Sequence, residues 1–579
     1  MNFKQKLFAS LVASSMMFGT IAPVFAEGTQ STATVEIDPK LEGHNFKAYQ
    51  IFKGEYANTG AEGTTVNTLS NIKWGDNIDK TAFAAKLKAA FPTATFDDSK
   101  MDDASYVAEK IAEICTAAYD SDAANKVARA AYESTTTTVA PIDIVEPSTT
   151  IPAGYYLILD TTTGESDFKN PSVLQVVGNI TISAKTSAPT VDKRVLDETA
   201  DKTTGDKKTP EQATETGLTG KYWNESADHN LFEEFKFKLT ADIPSDVEIK
   251  RYTKYPVTFM DSWSTGVTFN GTGAKVTPKG GSVYNPDPAY YDGIDSVAIN
   301  ITKGGTTTTK SLDADDYSLT LNNNSLEIKI DNLKDFLDAD QLEGCDYSIT
   351  VIYKAYLNEN AVVVGPGTHT DSSTNDVYLK YANNPEASGQ GETKPEEGKT
   401  EEDTVFVFTY EMPNYKVDDT NAPLEGAGFK LYSDQECNNE IKLVKVADGK
   451  YRVAKSTEDG VEMFSKGTNA TFHIDGLDTG FYYLKETSTP TGFNTAPVTK
   501  VHIAAEHKET ADATATTTMK MYVNNSETEL DKNTIQNNKG TVLPETGGMG
   551  TTIFYTTGLI LTVGAGVLLI TKKRMNGEA

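Results

Sequence analysis

Short alternating runs recur along most of this chain. Phe235-Lys236-Phe237-Lys238-Leu239 and Tyr255-Pro256-Val257-Thr258-Phe259 switch between apolar and polar side chains almost residue by residue. Residues 347–353 and 377–381 do the same. A period of two sends neighbouring side chains to opposite faces, so these runs predict half-buried strands. Clusters of Gly, Asn, Asp and Pro separate them, as turns between strands require. Two stretches break the rule. Residues 80–91 and 103–119 carry Phe83, Leu87 and Ala90, then Val107, Ile111 and Ile114. That spacing marks one face of a helix. Asp102 or Asp103 is placed to cap the second helix.

The pattern divides the chain into regions. Residues 27–185 predict a β-sandwich with inserted helices, with strands at 34–37, 46–52 and 155–159. Residues 186–403 predict an all-β domain that closes in a Pro, Gly, Glu and Lys-rich linker from about residue 384. Residues 404–540 predict a third β region, with strands at 405–410, 428–432, 451–453, 471–474 and 481–484. The expected fold class is all-β, a row of tandem Ig-like sandwiches.

The two ends follow different rules. Lys4 and Lys6 precede an apolar run over 7–24, and Val24-Phe25-Ala26 puts small residues at the −3 and −1 positions of a cleavage site. Residues 1–26 therefore predict a secretory signal peptide, with the mature chain starting at Glu27. At the other end stand Leu543-Pro544-Glu545-Thr546-Gly547-Gly548, an uncharged apolar segment over 552–570, and Lys572-Lys573-Arg574. The segment is just long enough to cross a hydrocarbon core of roughly 30 Å. The basic tail belongs on the cytoplasmic side. A bare membrane anchor accounts for the segment and the tail but not for the pentapeptide. The whole arrangement resembles the LPXTG cell-wall sorting signal of Gram-positive surface proteins. The resemblance implies that a sortase cysteine cleaves between Thr546 and Gly547 and holds the Thr546 carbonyl as a thioester until an amine takes it.

Composition narrows the rest. The net charge is −29, which argues against nucleic acid or an anionic membrane as a partner. Cys115, Cys345 and Cys437 lie far apart, so an exported chain lacks a disulfide framework and needs another source of stability. Cys115 falls in the second helical pattern and is expected to be buried. The six histidines show no metal-ligand spacing, and no HExxH, GxSxG or P-loop occurs. No metal and no cofactor are expected.

The third region carries the sharpest internal motif. Tyr415-Lys416-Val417-Asp418 is followed by Pro423-Leu424-Glu425-Gly426-Ala427-Gly428-Phe429. Further on come Tyr482-Tyr483-Leu484-Lys485-Glu486-Thr487, Pro490 and Gly492-Phe493. This resembles the CnaB-type domain of pilins and adhesins, with Phe493 where a Tyr is usual. The family implies a self-formed Lys–Asn isopeptide bond, and the resemblance assigns Lys416 as amine, Asn537 as carboxamide and Glu486 as acid. Such chemistry needs a lysine whose burial disfavours the ammonium and a carboxyl group kept protonated by the same burial. By the chain-entropy model for cross-links, closing a loop of about 120 residues is worth about 5 kcal/mol.

The middle region opens with Val191-Asp192-Lys193-Arg194-Val195, continues through Asp261, and ends Asn375-Asp376-Val377-Tyr378-Leu379-Lys380-Tyr381-Ala382-Asn383-Asn384. It resembles the CnaA-like middle domain of fimbrial shaft proteins. By that analogy Lys193 is the amine, Asp261 the acid and Asn375 the partner, with Asn383 and Asn384 as competitors. Eight residues before Lys193 stands Ile180-Thr181-Ile182-Ser183-Ala184-Lys185, a degenerate form of the pilin motif whose lysine attacks the sortase thioester. Lys185 holds that position, with Ala184 in the place of the motif's proline. The opening of the chain, at 44–52 and 69–75, resembles the same SpaA-type major pilins.

The resemblance thus implies a backbone subunit of a sortase-assembled pilus, secreted and anchored to the cell wall. Thr546 would be joined to Lys185 of an identical subunit, head to tail. Its partners would be pilin-type and housekeeping sortases, a peptidoglycan precursor, ancillary pilins and a host ligand. The alternatives are a monomeric wall-anchored adhesin that binds a host ligand and never polymerises, and a wall-anchored hydrolase, which a pocket with convergent carboxylates would favour.

Overall fold

The computed structural model describes residues 32–37, 44–58, 67–115, 121–161, 172–176, 180–182, 188–198, 211–212, 221–277, 281–282, 285–286, 288–383, 397–510, 514–540 and 549–575. The signal peptide, Lys185, Asn384 and the pentapeptide from Leu543 to Gly547 lie outside them.

The first region holds two sheets. Phe46–Asn58 sits between Asn67–Trp74 and Gly154–Asp160. Thr32–Ile37 sits between Ser148–Pro152 and Ile180–Ile182. Val35, Ala48, Ile151 and Tyr156 fill the space between the sheets. Helices Lys80–Ala90 and Ala104–Ile114 stand where the apolar spacing puts them. Asp79 and Asp103 cap them by accepting from N–H groups of the first turn. A third helix, Ser121–Tyr132, is not legible in the apolar pattern. Its buried face is Val127, Ala128, Ala130 and Ala131, side chains too small to stand out from an alanine-rich background. Cys115 ends the second helix half-buried rather than fully enclosed, because the last turn leaves the core there.

The middle region is a sandwich of two large sheets. In one, Thr190–Glu198, Phe235–Ile243, Asp346–Leu357 and Ile294–Lys303 lie side by side. In the other, Asp403–Phe408, Ser373–Ala382, Val257–Trp263 and Ser325–Ile330 do. Phe237, Leu239, Ile349 and Val351 from the first sheet meet Phe259, Ile328, Val377 and Leu379 from the second. Each such burial contributes about 1.5–3 kcal/mol.

The strand Asp403–Phe408 differs from the expectation that it heads the third region. It pairs with Ser373–Ala382 of the middle sandwich instead. Val405 and Val407 belong to the middle core, while Phe406 and Phe408 belong to the next one. Both faces are therefore covered, which is why the sequence there is a continuous apolar run rather than an alternation.

The C-terminal region is a second sandwich. Gly428–Tyr432, Gly480–Ser488, Thr499–Thr510 and Thr514–Val523 form one sheet. Lys450–Val453, Thr471–Leu477, Tyr410–Val417 and Asn533–Gln536 form the other. The two sandwiches share strands. Ser226–Asp228 runs parallel to Asp403–Phe408, and Gly367–His369 adds to the edge of Thr514–Val523. At this joint Asp228 is fully buried. Its carboxylate lies 2.9 Å from His507 Nε2 and accepts from the hydroxyls of Tyr410 at 3.2 Å and Thr479 at 3.0 Å. Beyond the sandwiches, helix Met549–Met575 contains a stretch, Ile553–Lys573, long and apolar enough to cross a membrane. None of the three cysteines is in a disulfide.

Candidate functional site

Two clusters of lysine, carboxyl group and asparagine lie in the two sandwich cores. In the C-terminal sandwich, Tyr410–Val417 turns Tyr410, Met412, Asn414 and Lys416 inward. The final strand, Asn533–Gln536, pairs with it in parallel and sets Ile535 opposite Lys416. The N–H of Asn537 donates to the carbonyl of Val417 at 3.0 Å, which fixes Asn537 one step beyond the lysine. Lys416, Asn537 and Glu486 are all buried. Glu486 comes from the opposite sheet and accepts from Asn537 Nδ2 at 2.8 Å and from the Ala496 N–H. Lys416 Nζ donates to the carbonyls of Val417 and Ile535, each at 3.1 Å. Burial lowers the Lys416 amine to about 8, against the pull of Glu486 and Asp418. Asn537 Oδ1 is buried with no hydrogen-bond partner among the described residues.

The middle cluster is assembled across the sandwich. Lys193 enters from Thr190–Glu198 in one sheet. Asp261 and Asn375 enter from Val257–Trp263 and Ser373–Ala382 in the other. Asp261 is paired in register with Val377 and Trp263 with Asn375, so Asp261 and Asn375 are diagonal neighbours on one face. Lys193 and Asn375 are fully buried and Asp261 is 2 % exposed. Lys193 Nζ is bonded to Asp261 Oδ2. Its stem runs past the rings of Phe237 and Tyr353, with Nζ 5.2 and 5.6 Å from their centroids.

Removing a carboxylate and an ammonium from water costs several kcal/mol per ion. Burial accordingly pushes the Lys193 amine down and the Asp261 carboxyl up, while their mutual attraction opposes both shifts. The pair is driven toward a neutral amine beside a neutral acid, the forms in which an amine is nucleophilic and a carboxyl group can donate.

Among the competing asparagines, Asn383 is buried just past the far end of the same strand, beyond the pairing of Tyr381 with Val257. Six residues of extended chain, about 20 Å, separate it from the position opposite Asp261. Asn375 is the one that joins the cluster's hydrogen bonds. The residue that sequence reasoning missed is Tyr353, whose hydroxyl touches all three members. It sits in an alternating strand and reads as one more inward aromatic. Among the described residues no group of His, Cys, Asp and Glu is arranged to hold a metal.

Comparison with known proteins places these clusters in context. Residues 412–519 match the SpaA prealbumin-like fold domain, and residues 535–577 match the LPXTG cell wall anchor motif. The chain is thus a cell wall-anchored surface protein of Gram-positive type, built largely of tandem β domains. It is homologous to the trypsin-resistant surface T6 protein of Streptococcus pyogenes serotype M6, with 25 % identity over 399 residues, 60 % of this chain and 65 % of the relative. The match thus spans just under two thirds of that relative. Among solved structures, the T6 backbone pilin of serotype M6 S. pyogenes aligns with 90 % of this chain and 100 % of its own, at 17 % identity and a TM-score of 0.44. The major pilin SpaD of Corynebacterium diphtheriae aligns with 88 % of this chain and 98 % of its own, at 16 % identity and a TM-score of 0.37.

Proposed function

We propose that this chain is the backbone subunit of a sortase-assembled pilus. The observation that carries the reading is that one chain combines a C-terminal sorting signal with two core-buried clusters of amine, carboxyl group and carboxamide. Homology to the T6 protein supports it. Thr546 of one subunit is joined to Lys185 of the next, and the last subunit is passed to a peptidoglycan precursor. A head-to-tail contact of this kind does not close on itself and grows a filament. The role is structural rather than enzymatic, with the sortase supplying the nucleophile.

Within each subunit, Lys193 is joined to Asn375 and Lys416 to Asn537, each with loss of one ammonia. In the middle domain the bond ties the two sheets together. In the C-terminal domain it ties the first strand to the last. Tension along the fibre then passes through covalent links rather than through strand pairing alone.

Two outcomes test this. Cells expressing Lys185→Ala should lose the high-mass ladder that survives boiling in SDS, while the monomer still reaches the wall; an unchanged ladder would overturn the assignment of Lys185. The second concerns pH. Only the neutral amine attacks, and with Lys416 held at about 8 about one molecule in ten carries it at pH 7. At an ordinary lysine pKa the fraction is about one in three thousand. The depressed pKa therefore makes the Lys416–Asn537 bond form faster as pH rises. The expected slope is about tenfold per unit below pH 8, flattening above it. Branched-peptide yield against time in freshly synthesised chain measures this, and a rate independent of pH between 6 and 8 would contradict it.

A further inference from the structure

The two clusters differ in one respect. Glu486 reaches the nitrogen of its asparagine directly, at 2.8 Å. Asp261 is one methylene shorter. One carboxyl oxygen is engaged by Lys193 Nζ, and the other accepts from Tyr353 OH at 2.9 Å. Asn375 Nδ2 donates to that same hydroxyl at 2.6 Å, and Lys193 Nζ lies 3.4 Å from it. All three hydrogen bonds of the Tyr353 hydroxyl thus go to members of the cluster. The ring is held by Phe237 and Phe269, with centroids 5.4 and 5.9 Å away. A tyrosine buried only for packing needs one partner for its hydroxyl. This one bridges the acid and the group that leaves.

We propose that Tyr353 is a catalytic residue of the middle domain, relaying a proton from Asp261 to the departing nitrogen of Asn375. The proposal rests on the isopeptide reading above and supplies its missing step. Lys193 Nζ, as the neutral amine, attacks Asn375 Cγ, and the Nζ–Cγ bond forms. Nζ gives one proton to Asp261 Oδ2. The Tyr353 hydroxyl, which at rest donates to Oδ1 and accepts from Nδ2, then reverses: its proton passes to Nδ2 and the carboxyl proton at Oδ1 replaces it. The Cγ–Nδ2 bond breaks and ammonia departs. Asp261 and Tyr353 end as they began, and no oxidant or other reactant is needed. Burial holds the phenol well above its ordinary range, so it passes protons as a hydroxyl and does not rest as phenolate. The C-terminal domain needs no such relay, because Glu486 spans the distance itself.

The test is Tyr353→Phe in the full chain made by cell-free synthesis, with aliquots quenched over time and digested. The Lys193–Asn375 and Lys416–Asn537 branched peptides are both quantified, on trypsin-resistant molecules only. The expected result is about a 100-fold slower middle bond with the C-terminal bond forming at its normal rate, an internal control in the same molecule. Equal rates for the middle bond in wild type and Tyr353→Phe would overturn the relay. Absence of the branched peptide from wild type would instead overturn the isopeptide reading on which it rests. Should Tyr353→Phe leave no resistant fraction, 3-fluorotyrosine at position 353 keeps the ring and changes the acidity of the hydroxyl. A changed rate supports the relay and an unchanged one refutes it.

Discussion

Replacing Asp261 by alanine is expected to leave the middle sandwich without its cross-link and to cost it about 5 kcal/mol. The figure follows from the loop of about 180 residues that a Lys193–Asn375 bond closes, whose entropy returns to the unfolded chain once the bond is absent. A shift of that size lowers the melting transition by about 10–20 °C for a domain of 150–250 residues. The mutation also leaves a fully buried amine without its acid, which adds to the loss in the same direction. Asp261→Asn preserves the shape of the side chain but removes the group that exchanges protons, so it should block the bond while disturbing the packing less. Intact mass reads both variants. Wild type should fall two ammonia short of the sequence mass, and either variant only one. A Lys193–Asn375 branched peptide in Asp261→Ala would defeat the assignment of the acid.

The second large effect lies at the joint between the two sandwiches. Asp228→Ala is expected to destabilise the chain by about 3–5 kcal/mol, the usual result of removing one member of a buried polar pair. The loss is large because Asp228 serves His507, Tyr410 and Thr479 at once, and an unsatisfied buried group costs about 1–3 kcal/mol. It also has a distinct signature. With the joint loosened, the middle and C-terminal sandwiches should melt as two resolved transitions in calorimetry rather than together. Asp228→Asn keeps an acceptor in place and should show a smaller shift. A single transition at the wild-type temperature in Asp228→Ala would mean that the joint contributes nothing to the coupling.

These expectations draw unequally on sequence and structure. Lys193 and Lys416 were legible because each lies in a short contiguous motif that carries the family resemblance, and Asn537 through the same resemblance. Asn375 was already preferred over Asn383 in the sequence, but its place beside Asp261 rests on the register of Ser373–Ala382 against Val257–Trp263, which leaves Asn383 just past the far end of that strand. Ownership of Asp403–Phe408 was misread because a strand covered on both faces loses the alternation that reports which core it serves. Helix Ser121–Tyr132 escaped because its buried residues are mostly alanines. Asp228 and His507 carried no signal at all; they are about 280 residues apart, and nothing local to either marks the contact.

By itself, then, the sequence determined the all-β class, the sorting signal at the C-terminal end, and which residue types stand ready on which strands. Those properties are local: they follow from periodicity, from the length of an apolar run and from a short contiguous motif. Only the tertiary structure decided which side chains meet. Strand pairing brings Asp261 and Asn375 onto one face, sandwich closure lays Lys193 and Tyr353 against them, and exclusion of water then shifts the amine and the acid toward their neutral forms. Placement across two sheets and desolvation in a shared core depend on elements far apart in the chain, so no window of sequence contains them.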